Sequence, residues 1–174
     1  MTAILDPKCL ITDVPDFPKK GVVFKDITPL LADAKAFAFT IDQMTEPFVG
    51  KGITIVAGIE SRGFLLATPI AYRLGAGVVP IRKKGKLPRR VHSASYDLEY
   101  GQDSIEAHVD AFKPGAKVLL VDDVLATGGT AKAACELLGK IGGSVAGLSF
   151  LIELSFLNGR NKLPGQTIKS LVSY

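Results

Sequence analysis

Cysteine and histidine are scarce in this 174-residue chain, at two each. Cys9 and Cys135 are too few and too far apart for a disulfide framework or a thiolate zinc cluster. Cys135 falls on the Ala/Leu face of an expected helix and reads as a small core residue. His92 and His108 have no companions at metal-ligand spacing and read as surface or part-buried residues. No Ser/His/Asp or Cys/His arrangement points to a catalytic triad. Long hydrophobic runs are missing as well: 47% of the residues are hydrophobic, yet no stretch approaches the roughly 18 to 20 residues that cross a bilayer. Asp6, Pro7, Lys8 and Asp13 interrupt the apolar residues at the start, which does not read as a secretory signal, so the expected location is cytoplasmic. The formal net charge of +4 is concentrated in Arg82 to Arg90. No helix-turn-helix, zinc-finger or aromatic-rich RNA-binding string accompanies it, so neither nucleic acid nor membrane is expected as a partner.

What is present centres on Val118 to Thr130, Val-Leu-Leu-Val-Asp-Asp-Val-Leu-Ala-Thr-Gly-Gly-Thr. Four apolar residues in a row after a Pro114-Gly115 turn predict a short strand buried on both faces, as in a parallel sheet. Ala131 to Leu138 is helix-forming, so Ala126 to Thr130 is expected to be a strand-to-helix turn. The first N–H groups of a helix lack internal partners, and glycines let an anion approach that backbone closely. Thr127 and Thr130 add hydroxyl donors. Neither the lysine-bearing G-x-x-x-x-G-K-[ST] loop nor G-x-G-x-x-G is present, which favours a monophosphate held by neutral donors. Asp122 and Asp123 stand at the carboxyl end of the strand, where open α/β sheets bind ligands. Ionised carboxylates only accept hydrogen bonds, so the pair calls for a hydroxyl-rich partner such as ribose, or for Mg²⁺.

The rest of the chain predicts one domain of alternating strands and helices. Residues 1 to about 30, broken by prolines and glycine, read as a loop with a short extended segment. Asp33 to Val49 reads as a helix, with Asp33 at the N-cap and Phe37, Ile41, Met44 and Phe48 on one face. Strands are expected at Ile53–Gly58, Gly77–Arg82 and Ser144–Ile152, with Glu153 and Leu154 at the carboxyl end of the last and expected to border the ligand. Glu60-Ser-Arg-Gly63 makes a second strand-to-helix turn before a helix over Phe64–Leu74, and Arg62 can donate to phosphate oxygens there. Lys83 to Arg90 is too charged to pack on a sheet. Ser95–Gly101 and Asp103–Asp110 alternate polar and apolar residues around Gly101-Gln102, which predicts a two-stranded ribbon. No element is assigned to the closing segment, Gly159 to Tyr174.

The 118–130 string resembles the phosphoribosyl pyrophosphate signature of the type I phosphoribosyltransferases. Three further strings, in the same order along the chain, resemble the adenine-using branch of that family: Phe17-Pro-x-x-Gly-Val-x-Phe-Lys-Asp-Ile27, Arg82-Lys-x-Gly-Lys-Leu-Pro88 and Leu98-Glu-Tyr-Gly101. The resemblance implies an α/β domain with a central, mainly parallel sheet flanked by helices, an N-terminal hood over about residues 1–32 and a flexible lid over about 82–108. It implies transfer of the 5-phosphoribosyl group from phosphoribosyl pyrophosphate to adenine, giving AMP and pyrophosphate, with Mg²⁺ held mainly through substrate oxygens. Asp122 and Asp123 would face the ribose hydroxyls, and Ala126, Thr127, Gly128, Gly129 and Thr130 would wrap the 5-phosphate. Glu60, Ser61, Arg62, Arg82, Lys83 and Lys86 would serve pyrophosphate, in part across a homodimer interface. The backbone at Val23 and Lys25 would read the adenine edge, with Phe24 and Val124 on either side of the ring. Glu99 would act as general acid/base and Tyr100 would shield the site. In the family the Lys25 position is often Arg, and the peptide matching Glu60–Ser61 is commonly cis. Two alternatives stay open: transfer to another purine, and a regulator that senses phosphoribosyl pyrophosphate and binds nucleic acid through 83–90.

Overall fold

The computed structural model describes residues 6–97 and 102–174. The chain forms two compact units, one ending at Gln43 and the other running from Met44 to Tyr174. In the first unit β1 (Thr12–Pro15) and β2 (Val23–Asp26) pair antiparallel, with Val14 opposite Phe24. The extended segment expected in the first thirty residues is thus one half of a small two-stranded sheet. A short helix α1 (Thr28–Ala32) follows, with Asp26 accepting from the Thr28 backbone N–H at 2.9 Å and its hydroxyl at 2.8 Å.

Helix α2 (Ala34–Thr45) begins at the predicted cap: Asp33 Oδ1 accepts from the N–H groups of Lys35 at 2.9 Å and Ala36 at 2.8 Å. It stops short of the expected Val49. Pro47 has no N–H to donate and clashes with the preceding turn, so Glu46–Phe48 tighten into a 3-10 turn.

The second unit holds a seven-stranded sheet in the order β5-β6-β4-β3-β7-β8-β9. Its strands are β3 (Ile55–Ile59), β4 (Gly77–Lys83), β5 (Val91–Asp97), β6 (Gln102–His108), β7 (Lys117–Leu125), β8 (Ser144–Glu153) and β9 (Ile168–Ser173). From β4 to β9 neighbouring strands are parallel, and the β5–β6 ribbon adds antiparallel to β4. The mainly parallel α/β sheet expected from the sequence is therefore present. Strand β9 lies in the closing segment that carried no predicted element. β5 and β6 form the expected ribbon, with Gln102 already in β6; residues 98–101 lie outside the described residues.

Val118, Leu119, Leu120 and Val121 are fully buried because β7 lies between β3 and β8 and both its faces are covered. Each such side chain contributes about 1.5 to 3 kcal/mol when removed from water. Val118 and Leu120 share a core with Ala133, Ala134, Leu137 and Leu138 of α4 (Gly129–Lys140). Helix α3 (Arg62–Leu74) packs on β3, β4 and β7. Cys135 is part-buried against the α4 core, as expected, and burial pushes its thiol up to about 11. His92 is exposed and His108 part-buried. Among the described residues no helix is long and apolar enough to cross a membrane.

Candidate active site

Both strand-to-helix turns lie at the carboxyl ends of adjacent parallel strands, β3 and β7, because each strand is followed by its own helix. At the end of β7 the chain turns through Ala126 to Gly128, and Gly128 adopts φ +78°, a conformation that costs a side-chain-bearing residue about 1 kcal/mol or more. Helix α4 starts at Gly129, two residues earlier than expected. The result is a cavity of about 80 Å³ lined by Asp122, Val124, the 126–130 loop and Phe150. The unpaired N–H groups of a first helical turn give such a space the character of an anion nest, as expected from the sequence.

The two acids differ in their surroundings. Asp122 opens on the cavity, and its Oδ1 accepts from the Asp123 N–H at 2.9 Å. Burial and the neighbouring Asp123 charge push its carboxyl well above the usual range. Asp123 is 5% exposed, and burial raises its carboxyl too, opposed by the Arg62 guanidinium. Arg62 Nε forms an ion pair with Asp123 Oδ2 at 2.6 Å. A carboxylate oxygen in an ion pair still has a lone pair with which to accept from a ligand donor. A sugar hydroxyl supplies such a donor.

Gly63, in the first turn of α3, permits the approach of this helix to the acids. A Cβ there would lie 2.8 Å from Asp122 Oδ1 and 3.0 Å from the Val121 carbonyl oxygen. The Glu60–Ser61 peptide between β3 and α3 is cis.

The cations expected to meet pyrophosphate are held by carboxylates. Glu60 accepts from Arg82 Nε and Nη2 at 3.3 Å each, from the Lys83 N–H at 2.9 Å and from Lys86 Nζ at 2.6 Å. Burial alone would raise the Glu60 carboxyl, but Lys86, the Lys83 amide and Arg82 outweigh it and hold it at about 2. Lys83 Nζ is paired with Asp103 of the ribbon, and this contact raises the ammonium and lowers the carboxyl. Tyr96 stands directly across from Asp103 and donates to its Oδ2 at 3.1 Å. Burial pushes the Tyr96 phenol up, opposed by the Thr130 hydroxyl of the nest. The ribbon thus touches Lys83 and the 126–130 loop at once.

Asp103 and Tyr96 were not singled out from the sequence, although cross-strand alternation pairs them once the ribbon's register is known. Glu106 carries no sequence signal; it is buried beneath the loop after β4 and accepts from the Gly85 N–H at 2.9 Å. In the first unit, Val23 is exposed, Phe24 packs edge-on against Phe17 with ring centroids 5.1 Å apart, and Lys25 donates to Asp13 at 2.6 Å. Glu99 and Tyr100 lie outside the described residues.

A parallel sheet with an acid pair and an amide nest at one strand end defines a sugar-phosphate-binding α/β domain. The phosphoribosyl transferase domain model matches residues 24–163. The adenine phosphoribosyltransferase of Nitrosococcus oceani is 54% identical over 96% of this chain and 98% of its own. The crystal structure of adenine phosphoribosyltransferase from Thermoanaerobacter pseudethanolicus superposes with a TM-score of 0.93 at 51% identity, over 96% of this chain and 97% of that one. The Saccharomyces cerevisiae enzyme, crystallised with adenine and an imino-altritol bisphosphate, gives a TM-score of 0.89 at 39% identity, over 94% and 95%. The chain belongs to the phosphoribosyltransferase family, in its adenine phosphoribosyltransferase branch.

Proposed function

We propose that this protein transfers the 5-phosphoribosyl group of phosphoribosyl pyrophosphate to adenine, releasing AMP and pyrophosphate. The observation that carries this reading is the acid pair Asp122 and Asp123 at the end of β7, with Asp122 lining the same small cavity as the 126–130 loop. In this reading Asp122 and Asp123 accept from the ribose hydroxyls, and residues 126–130 hold the 5-phosphate. Val23, Phe24, Lys25 and Val124 are assigned to adenine, an assignment supported by the resemblance of the 17–27 string.

A ring nitrogen of adenine forms a bond to the anomeric carbon as the bond to pyrophosphate breaks, through an oxocarbenium-like transition state. The base loses its proton, which we assign to Glu99, with Tyr100 excluding water. Arg62, Arg82, Lys83 and Lys86 exchange carboxylate partners for the oxygens of the departing pyrophosphate. That exchange keeps the cations oriented in the free protein and releases them only to a stronger anion. Among the described residues no group of three or more His, Cys, Asp or Glu could hold a metal alone. Asp122 and Asp123, as hard oxygen donors, would suit a Mg²⁺ held mainly through substrate oxygens. When bound, Mg²⁺ supplies positive charge against the leaving group.

A second copy of the chain is assigned to the exposed apolar side chains of Leu65 and Tyr72 on α3 and Val78 on β4. Light scattering checks this, with a monomer at micromolar concentration as the refuting result. Both cysteines are free thiols, in keeping with the reducing cytoplasm. The deciding experiment mixes protein, Mg²⁺ and phosphoribosyl pyrophosphate with adenine, hypoxanthine, guanine or xanthine in turn. AMP should form, and chelation should stop it; preferential use of another base, or of none, would overturn the reading.

A further inference from the structure

Gly159, in the turn after β8, lies against the phosphate nest. A Cβ on Gly159 would overlap the Ala126 carbonyl oxygen and come within 3.1 Å of the Gly128 nitrogen. The reverse holds too, since a Cβ on Gly128 would overlap the Gly159 carbonyl oxygen. Two backbones that meet this closely leave no room for a side chain on either. The turn itself is fixed by its neighbour. Arg160 donates to Glu153 through Nε and Nη2 at 2.6 Å each, to the Ile168 carbonyl at 3.3 Å through Nη1 and to the Ser170 hydroxyl at 3.4 Å. The fork therefore ties the turn to the end of β8 and to β9. Glu153 reads from the sequence as a residue bordering the base, but its carboxylate is engaged with this arginine.

We propose that Gly159 and Arg160 are positioning residues for the 5-phosphate: Arg160 fastens the turn to β8 and β9, and Gly159 presses the 126–128 backbone into the shape that presents its amides. The inference rests on the phosphate reading of the nest given above. Neither residue touches the substrate in this picture. A carboxylate fork favours arginine, since lysine keeps the charge but cannot make two parallel bonds.

The test compares wild type, Gly159→Ala, Arg160→Gln and Arg160→Lys, with Gly139→Ala as control because a Cβ at Gly139 meets nothing within 4 Å. Ribose 5-phosphate affinity is measured by calorimetric titration, the KM for phosphoribosyl pyrophosphate and for adenine by steady-state kinetics, and folding by thermal melts. Displacing the amides by roughly 1 Å should weaken ribose 5-phosphate and raise the KM for phosphoribosyl pyrophosphate by at least about tenfold, up to about a hundredfold. The adenine KM should stay within about twofold, and Gly139→Ala should match wild type. Arg160→Gln should show a smaller shift of the same kind, partly restored in Arg160→Lys. The arginine pair also decides the case if Gly159→Ala does not fold. Unchanged ribose 5-phosphate affinity in a folded Gly159→Ala protein, or Arg160 variants that affect both substrates equally or neither, would overturn the proposal. If wild type itself does not bind ribose 5-phosphate, the phosphate reading fails and this inference falls with it.

Discussion

Glu60 is a single carboxylate, 9% exposed, that accepts from Arg82, Lys86 and the Lys83 amide. Replacing it by glutamine keeps the size of the side chain and removes the charge that three donors share. In the folded protein its carboxyl is held at about 2, against 4.5 ordinarily. At about 1.36 kcal/mol per unit this bounds its contribution near 3 kcal/mol. The Arg82 and Lys86 side chains are 34% and 51% exposed, and solvent screening reduces the expected loss to about 1 to 2 kcal/mol. For a chain of this size that lowers the melting temperature by roughly 2 to 8 °C at pH 7. A depressed carboxyl contributes stability that is complete above its unfolded value and disappears as pH falls through its folded value. The gap between wild type and Glu60→Gln should therefore be constant from pH 8 down to about 5.5 and shrink by more than half by pH 3.5. Melts of both proteins across that range read it directly. A gap that stays constant down to pH 3.5, or is missing at pH 7, would refute the account of Glu60 as a charged hub.

Three further changes probe the site. Asp123→Asn should reduce kcat/KM for phosphoribosyl pyrophosphate by about 10- to 100-fold, the range of a lost charged hydrogen bond; a twofold effect would count against the diol assignment. Gly63→Ala places a methyl against Asp122 and the Val121 carbonyl, and should cost about 1 to 3 kcal/mol in urea unfolding while weakening ribose 5-phosphate. Glu99→Ala should abolish turnover with phosphoribosyl pyrophosphate binding retained in a direct titration; unaltered turnover removes Glu99 from the mechanism.

The parts of this molecule readable from the sequence are those written in contiguous residues. The apolar run of β7 followed by glycines and helix formers specifies a strand, a turn and an anion nest within thirteen positions. Asp33 specifies the start of α2 because a cap needs only the two or three amides beside it. The end of α2 was overshot because the apolar period continues to Phe48 while Pro47 removes a backbone donor. Strand β9 was not found, since a short edge strand is selected by its parallel partner β8 rather than by its own periodicity.

By itself, then, the sequence determined the α/β class, the nest at 126–130 and the acid pair before it, all through local spacing. Only the tertiary structure decided that Glu60 gathers Arg82 and Lys86 across more than twenty residues, that Asp103 takes Lys83, and that Gly159 lies against Gly128. Such contacts depend on sheet order and register, which bring distant residues to the same strand ends. Charge pairing and close backbone approach act through space, so no window along the chain contains them.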